Sequence, residues 1–184
     1  MSDFSCEPHV IVGDSLDELI QKGVLLIEET GEDIKVRAGS GKQCYSVIYV
    51  LRDSCRRLHL LRAPTSIRYL CRELIAYLRG SLRVSDGLSS ASKFWDTLAD
   101  EHGMINSHYG YYVFHQRTNE GITQYEWIIL RLLENIQTRR AVINVNGVEH
   151  KGPTKDFPCT LAVQFFVRNG YLCCEVASRS TDII

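Results

Sequence analysis

The stretch DFPCTLAVQFFVRNGYLCCEVASRSTD, residues 156–182, joins a cysteine to two strand-like runs. Asn169-Gly170 separates the runs, and Asn-Gly between alternating segments is a strong signal for a β-hairpin turn. Cys159 has the parity of the apolar residues in the first run, so periodicity predicts a small buried side chain. A nucleophilic cysteine is the alternative, and it depends on which other residues surround the sulfur. The apolar face of the first run consists of Leu161, Val163, Phe165 and Val167.

The composition is ordinary for a soluble globular protein of 184 residues, with 45% apolar and 23% charged residues. A chain of this length fits one domain, and we expect a single domain over residues 1–184. The net charge of −1 gives no electrostatic reason to expect nucleic acid or an anionic membrane as a partner. Arginine outnumbers lysine 15 to 6. The guanidinium fork suits small anionic ligands, although genomic compositional bias explains the same count.

Cysteine usage and the N-terminus point to a reducing compartment. The first ten residues, MSDFSCEPHV, contain acids and no apolar core, so they do not resemble a secretory signal. No apolar run approaches the ~20 residues that a membrane-spanning helix needs. The seven cysteines include no CxxC pair and the histidines are scattered. We therefore expect reduced thiols, a cytoplasmic protein and no structural zinc site.

Helix and strand patterns alternate along the chain without an internal repeat or a linker. The strongest helix pattern covers residues 65–79, with apolar residues at i, i+3, i+4 and i+7, Pro64 before it and Gly80 after it. Long helices mixed with hairpin-joined strands indicate an α+β fold with a mixed, largely antiparallel sheet flanked by helices. Further helices are predicted over 15–28, 92–101 and 122–137, and a further strand over 43–51.

Two basic segments are candidate anion sites, and each has a structural explanation as well. RAGSGKQ, residues 37–43, lacks the glycine and hydroxyl positions of a Walker A loop, because Val36 and Gln43 stand there. A flexible loop that carries Arg37 remains, either to fold over an anion or as a plain turn. Arg139-Arg140 follows a predicted helix, where cations stabilise the C-terminal end of the helix dipole.

Glu73 lies on the strongest helix but about 130° from the centre of its apolar stripe. Tyr69 and Tyr77 share its side. The pattern directs Glu73 to solvent or to whatever packs on the polar side. A carboxylate among tyrosines suits general acid–base chemistry, and a solvated surface group is the alternative. Arg179-Ser180 with Asp182 ends the second hairpin run, either as an anion clamp or as a surface turn.

Taken in chain order, these segments resemble the motifs of the thymidylate synthase superfamily. RAGSGK resembles its arginine-led phosphate loop, and RELIAYLRG resembles its helix with an active-site glutamate. FWDTLADEHGMINSHYG resembles its tryptophan-to-YG segment, and TRR its double arginine. The stretch at 156–182 resembles its Pro-Cys strand with the Arg-Ser…Asp segment that follows. The resemblance runs from about residue 33 onward, and the five ordered motifs are specific together.

The resemblance implies a reaction and a role for each motif residue. Cys159 would be the thiolate that adds to carbon 6 of a pyrimidine, and Arg179 would favour its charged form. Glu73 would order water and relay protons, and Tyr109 would assist near carbon 5. The substrate would be a pyrimidine nucleoside monophosphate, and 5,10-methylenetetrahydrofolate would donate the one-carbon unit.

The remaining motif residues would bind the two ligands. Asp182 would face the folate and Trp95 would pack near it. The double arginine would reach the phosphate from the other subunit, because the family forms homodimers through a sheet face. The implied phosphate-binding residues are Arg37, Arg139, Arg140, Arg179 and Ser180.

The residue after the cysteine favours one branch of the family. Thymidylate synthases typically place histidine there, whereas this chain has Thr160. Together with INSHYG and Gln124-Tyr125, this resembles the cytidylate hydroxymethylases of phage DNA modification and nucleoside-antibiotic pathways. We therefore expect 5-hydroxymethylation of CMP or dCMP. A dUMP methylase of the same fold and a non-catalytic nucleotide-binding or dimerisation module are the alternatives.

The sequence stops where the family continues into its base-reading, ribose-binding and folate-closing segments. We therefore expect a thymidylate synthase-like domain that lacks the family's C-terminal part. Weak or absent turnover is expected from these 184 residues alone.

Overall fold

A computed structural model describes most of the chain, and for 36 and 63–66 it describes the backbone only. By internal contacts the chain divides into two compact units. The prediction of a single domain stays a prediction. The described residues are 7–36, 39–59, 63–152 and 155–182. The first unit comprises Met1–Pro64 and Asp182–Ile184, and the second comprises Thr65–Thr181.

The first unit consists of a helix packed on a parallel strand pair, with a separate antiparallel pair. Ser15 caps the helix, since its hydroxyl oxygen accepts a hydrogen bond from the Glu18 amide at 3.2 Å. The buried apolar residues are Ile11 and Leu19. The helix is α1, Leu16–Thr30; β1, His9–Gly13, pairs with β4, Val47–Leu51; β2, Glu32–Val36, pairs with β3, Gly39–Gln43.

The strand predicted over residues 43–51 is wrong in its first half. Gln43 ends β3, and the chain turns before β4 begins at Val47. Ser46 lies in this turn with a φ of 53°, in the left-handed region that a continuous strand excludes.

Two helices of the second unit begin or end at an expected local signal, although the helix predicted over 122–137 ends early, at Glu134. The helix predicted over 65–79 is α2, and it ends at Gly80, whose φ of +68° favours glycine. A capping box between Thr123 and Glu126 starts the helix predicted over 122–137. The helix predicted over 92–101 is shorter than expected. The bounds are α2, Ala63–Arg79; α3, Leu88–Ala91; α4, Phe94–Leu98; α5, Tyr109–Phe114; α6, Gln124–Glu134.

The predicted hairpin is confirmed as two strands of a three-stranded antiparallel sheet. Asn169 and Gly170 have φ values of 51° and 79°, the left-handed pair of a type I′ turn. One face of this sheet packs against α5 and α6, around buried side chains that include Ile128 and Ile143. The α+β class with largely antiparallel strands is thus observed. The strands are β5, Val142–Asn144; β6, Thr160–Arg168; β7, Tyr171–Ser178, in the order β5-β6-β7.

Cys159 lies directly before β6, where the register of the hairpin is irregular. Thr160 pairs with Ser178 while Ala162 pairs with Ala177, so β6 has one residue more than β7 over this step. Cys159 is exposed, and the burial predicted from periodicity is wrong at this position. Residues 160–167 are half-buried on both faces of the strand, so the parity of a residue does not separate buried from exposed positions here.

The side of α2 that faces the core is the one that carries Glu73. Ala76 is 1% exposed and Tyr77 packs against a cluster around Trp95 and Leu88. Glu73 is half-buried, so it occupies the second of the two positions that its pattern left open. The apolar stripe of the same helix is exposed, at Ile67, Leu70, Leu74, Ile75 and Leu78.

Candidate active site

Strand pairing brings the predicted nucleophile and a predicted cation together. Cys159 precedes β6 and Arg179 follows β7, and the Arg179 amide donates to the Cys159 carbonyl at 2.9 Å. The Nη2 atom of Arg179 lies 3.6 Å from the Cys159 sulfur. The strand pairing therefore places a positive charge next to an exposed cysteine sulfur.

The Arg179 side chain is held in place by the loop that leads to Cys159. Its Nε donates to the Pro158 carbonyl at 3.1 Å and its Nη2 donates to the Phe157 carbonyl at 3.0 Å. Its guanidinium carbon also lies 5.2 Å from the centroid of the Phe157 ring, a cation–π contact. Lys151 places its ammonium 4.6 Å from the same ring. These contacts fix a positive charge next to the sulfur before any ligand binds.

Tyr109, the first residue of α5, contacts the other side of the Cys159 backbone. Its hydroxyl oxygen accepts a hydrogen bond from the Cys159 amide at 3.1 Å. His108 caps this helix, because its Nδ1 accepts from the Tyr111 amide at 3.0 Å. His108 is 1% exposed, and burial lowers the pKa of its imidazole, which keeps the acceptor nitrogen unprotonated. The cap thereby orients Tyr109 at the helix start.

Close contact between α2 and α5 places Tyr109 beside the tyrosine side of α2. At Gly110 an added Cβ would lie 2.3 Å from the Cα atom of Tyr77, so only glycine permits this approach. The rings of Tyr77 and Tyr109 meet edge to face, with centroids 6.1 Å apart. The two helices therefore form one aromatic wall next to Cys159.

Glu73 accepts hydrogen bonds from this wall. The Tyr69 hydroxyl donates to its Oε1. Burial, and after it the hydrogen bond to Glu73, raises the pKa of the Tyr69 phenol above its usual range. Burial and the Glu73 charge raise the pKa of Tyr77 in the same way. Both phenols therefore stay protonated and can donate to the carboxylate, the arrangement expected of a group that handles protons or water.

Not all predicted phosphate ligands meet at Cys159. Ser180 follows Arg179 directly and is exposed. Arg139 and Arg140 lie between α6 and β5 and are exposed. They line a separate depression of about 360 Å³, and their role in binding a partner subunit's phosphate stays a prediction. Arg37 lies outside the described residues.

The two predicted folate contacts differ in their surroundings. Asp182 belongs to the first unit and is exposed. Trp95 is 8% exposed and belongs to the core cluster. Its indole Nε1 is buried and has no hydrogen-bond partner among the described residues. The folate roles of both residues stay predictions.

Sequence reasoning missed two buried polar residues near Cys159. Asp156 is 7% exposed and accepts two backbone amides from a loop about fifty positions earlier. His150 is 1% exposed, accepts from the Gly147 amide at 2.9 Å and lies 3.2 Å from the Asn106 carbonyl. Nothing in the local sequence marks either residue as buried, and Asp156 directly follows Lys155.

The residues around Cys159 offer a nucleophile, a fixed cation, phenols and a carboxylate. Across the described part of the chain, no three histidine, cysteine, aspartate or glutamate side chains are grouped as metal ligands would be. In the same part, no helix combines the length and apolarity needed to cross a membrane. The arrangement suits covalent catalysis by a thiolate.

Comparison with known proteins points to one family. The family model described as thymidylate synthase matches residues 21–184. Deoxycytidylate 5-hydroxymethyltransferase of Enterobacteria phage T4 is 30% identical over 121 residues, which cover 63% of this chain and 48% of the phage protein. Thymidylate synthase of Coxiella burnetii is 26% identical over 174 residues, 91% of this chain and 61% of the relative. The chain spans about half the length of the phage enzyme that it matches.

A solved structure supports the same fold. Thermostable thymidylate synthase A from Bacillus subtilis superposes with a TM-score of 0.51 at 24% sequence identity. The match covers 65% of this chain and 43% of that structure. The predicted thymidylate synthase-like α+β fold is confirmed, while dimerisation through a sheet face stays a prediction.

Proposed function

Because the chain belongs to the thymidylate synthase family, we propose that it carries the nucleophile of an enzyme that transfers a one-carbon unit to carbon 5 of a pyrimidine nucleoside monophosphate. The proposed substrate is CMP or dCMP, and the proposed product is its 5-hydroxymethyl form. The observation that carries this proposal is the contact of Arg179 with the exposed Cys159 sulfur at 3.6 Å. The donor is 5,10-methylenetetrahydrofolate, which supplies carbon at the oxidation level of formaldehyde.

The Cys159 thiolate makes carbon 5 reactive. Carbon 5 of a pyrimidine is a poor nucleophile, and addition of sulfur to carbon 6 forms an S–C6 bond while the electron pair of the C5–C6 double bond moves towards carbon 5. When carbon 5 bonds to the one-carbon unit, the bond from that carbon to one folate nitrogen breaks and its electron pair stays on the nitrogen. Loss of the carbon 5 proton then expels tetrahydrofolate as the second carbon–nitrogen bond breaks, water adds to the resulting methylene, and the S–C6 electrons return to sulfur. Arg179 stabilises the thiolate at the start and at the end of this cycle. The net reaction consumes one water and releases tetrahydrofolate.

Tyr109 and Glu73 handle the protons and the water. The Tyr109 hydroxyl lies at the Cys159 backbone and assists removal of the proton from carbon 5. The Glu73 carboxylate, held by the Tyr69 phenol, orders the water that adds to the new carbon. Addition of water gives the hydroxymethyl group, whereas addition of hydride would give a methyl group.

Arg179 has donor capacity left for the substrate phosphate. Its Nε and Nη2 contact the protein, while its Nη1 makes no hydrogen bond with the described residues. We infer that Nη1 binds the phosphate together with Ser180 and Arg37, and that Arg139 and Arg140 approach from the partner subunit of a homodimer. Asp182 and Trp95 are proposed to lie near the folate.

Cytosine and uracil nucleotides are each favoured by a different observation. Thr160 after the cysteine and the match to the phage deoxycytidylate enzyme support a cytidylate substrate. The match to the Coxiella thymidylate synthase, which covers 91% of this chain, supports dUMP methylation as the second candidate. Cys159 has the same role in both reactions.

Tritium release tests the proposal. Protein is incubated with methylenetetrahydrofolate and 5-tritiated CMP, dCMP or dUMP. Tritium released to water is counted, and the masses of the products are measured by mass spectrometry. We expect weak release from a cytidylate, a product heavier by one CH2O unit, and loss of both in Cys159→Ala. Cys174→Ala, at another exposed cysteine, is the matched control. Dihydrofolate formed from dUMP would support methylation instead. Nucleotide binding by both the wild type and Cys159→Ala, with no chemistry in the wild type, would overturn both enzymatic proposals.

A further inference from the structure

We propose that Asp156 is a positioning residue that clamps the loop before Tyr109 onto the loop before Cys159. Its effect on turnover rests on the proposed function, whereas the clamp itself is tested without turnover. Nothing in the sequence pattern or in the motifs of the family resemblance assigns a role to this residue. The proposal rests on the hydrogen bonds that join two loops about fifty residues apart.

The carboxylate of Asp156 binds the backbone of the earlier loop at two adjacent points. Its Oδ2 accepts from the Asn106 amide at 2.8 Å and from the Ser107 amide at 2.7 Å. Asp156 is 7% exposed and Ser107 is 6% exposed, so water does not easily replace these bonds. Hydrogen bonds to an ionised carboxylate are shorter and stronger than those between neutral groups. The two loops are therefore joined firmly at Asp156.

A second connection between the same loops lies at the reactive residues. The Cys159 amide donates to the Tyr109 hydroxyl at 3.1 Å, and the Tyr109 amide donates to the Ser107 carbonyl at 2.9 Å. Asp156 and Cys159 are three residues apart on one loop, and Ser107 and Tyr109 are two apart on the other. The bonds close a ring that passes through the Asp156 carboxylate, the Cys159 backbone and the Tyr109 side chain. Release of the Asp156 end would let the phenol move relative to the sulfur.

Two substitutions at Asp156 distinguish the effect of losing the hydrogen bonds from the effect of losing the negative charge. Asp156→Ala removes the acceptor and leaves two buried amides without a partner. Asp156→Asn keeps one carbonyl oxygen of the same shape, which can accept from both amides. The conservative variant should therefore rescue most of what alanine loses.

Asp100 provides a matched control on the preceding turn. Its Oδ1 accepts from the His102 amide at 2.9 Å and from the Met104 amide at 2.8 Å, the same number of bonds from a single oxygen. These bonds end before Asn106 and involve no residue of the Cys159 loop. Asp100→Ala tests whether loosening any turn in this region has the same effect.

The experiment compares wild type with Asp156→Ala, Asp156→Asn and Asp100→Ala in three measurements. Hydrogen–deuterium exchange reports the amides of residues 105–109. Mass spectrometry reports the rate at which iodoacetamide alkylates Cys159. Tritium release reports kcat and KM for the nucleotide.

We expect Asp156→Ala to raise exchange at Asn106 and Ser107 by ~10-fold or more. Alkylation of Cys159 should slow by roughly 3-fold as its neighbours lose their fixed positions. The kcat should fall by about 10- to 100-fold with KM within about two-fold, as expected for misplacement of reacting groups. Asp156→Asn should stay near wild type in all three. Asp100→Ala should change exchange only in its own turn.

Each contrary result has a defined meaning. Unchanged exchange at Asn106 and Ser107 in Asp156→Ala would overturn the clamp. Faster exchange with unchanged alkylation and kcat would overturn the positioning role. No tritium release by the wild type, even at high protein concentration, would count against the proposed function of these 184 residues, while exchange and alkylation still decide the clamp. If the alanine variant does not fold, Asp156→Ser, with an acceptor too short to reach both amides, provides the same comparison.

Discussion

The second unit has two regions with candidate ligand-binding arginines, and the arginine side chains of the two regions differ in their contacts with the protein. Arg179 donates to two backbone carbonyls and contacts the Cys159 sulfur. Arg139 and Arg140 are exposed, and neither side chain makes a hydrogen bond or an ion pair within the described ranges. The Arg179 charge is held next to one protein atom, whereas the exposed charges of Arg139 and Arg140 are available to a ligand that arrives from outside.

Replacement of Arg179 should have the largest effect, because it removes the fixed charge. We expect Arg179→Gln to lower tritium release by about 1000-fold, since thiolate stabilisation and a phosphate contact are lost together. Alkylation of Cys159 at neutral pH should slow by roughly 10-fold. Arg168→Gln, at an exposed arginine of the same hairpin, is the control. An unchanged alkylation rate in Arg179→Gln would show that the guanidinium has no effect on the reactivity of Cys159, and would contradict the contrast drawn between Arg179 and the exposed arginines.

Tyr109→Phe should have the next largest effect. The variant keeps the ring contact with Tyr77 and removes the hydroxyl that accepts from the Cys159 amide. We expect kcat to fall by about 100-fold with little change in KM, as is typical for loss of a group that assists proton transfer. Tyr125→Phe, at a tyrosine 49% exposed, should leave both constants unchanged. A change in KM alone would mean that Tyr109 only binds substrate.

Arg139→Gln and Arg140→Gln should weaken substrate binding more than chemistry. We expect a rise in KM for the nucleotide of roughly 10-fold, with kcat within about three-fold of wild type. The wild-type KM should also rise with salt, because exposed charges are screened. Steady-state kinetics at two ionic strengths measure both effects. A fall in kcat as large as that of Arg179→Gln would contradict the expectation that the exposed arginines act on binding and Arg179 on chemistry.

The smallest effect concerns stability near Tyr109. Burial holds the pKa of His108 below its ordinary 6.5. Between the lowered pKa and pH 6.5, the imidazole is therefore protonated in the unfolded chain but not in the folded protein. The free energy of unfolding should therefore decrease as pH falls from 6.5 towards the lowered pKa, by at most ~1.4 kcal/mol per pH unit from this group.

Urea unfolding at pH 7.5, 6.5 and 5.5 checks this expectation. His108→Asn, which retains a capping side chain, should flatten the pH dependence. His102→Asn, at a side chain that is 75% exposed, should leave it unchanged. Equal slopes for wild type and His108→Asn would contradict the assigned burial effect.

Local signals in the sequence were sufficient for the turns and helix ends. Asn169-Gly170 predicts a hairpin because both positions need a positive φ, and both have one. Ser15 predicts a helix start because its hydroxyl can satisfy a free amide, and it does so. The ordered motifs also identified the family, and with it the pairing of Cys159 with Arg179.

The exposure or burial of side chains that depends on contacts with distant parts of the chain could not be predicted from local signals. Cys159 is exposed although it has the parity of Leu161 and Val163, since packing leaves both faces of β6 half-buried and parity along the run does not predict exposure. Glu73 faces the core because α4 and α5 supply aromatic residues on that side of α2.

The sequence by itself therefore determined the local elements, the family and the chemical types available at the site. Only the tertiary structure decided which groups touch, as when Asp156 binds amides about fifty positions away. The physical reason is the separation in sequence between the groups that interact. Caps and turns satisfy backbone groups within a few residues, so their signals are local. A buried carboxylate is satisfied by whichever amides the fold brings to it, and no pattern in its own segment records them.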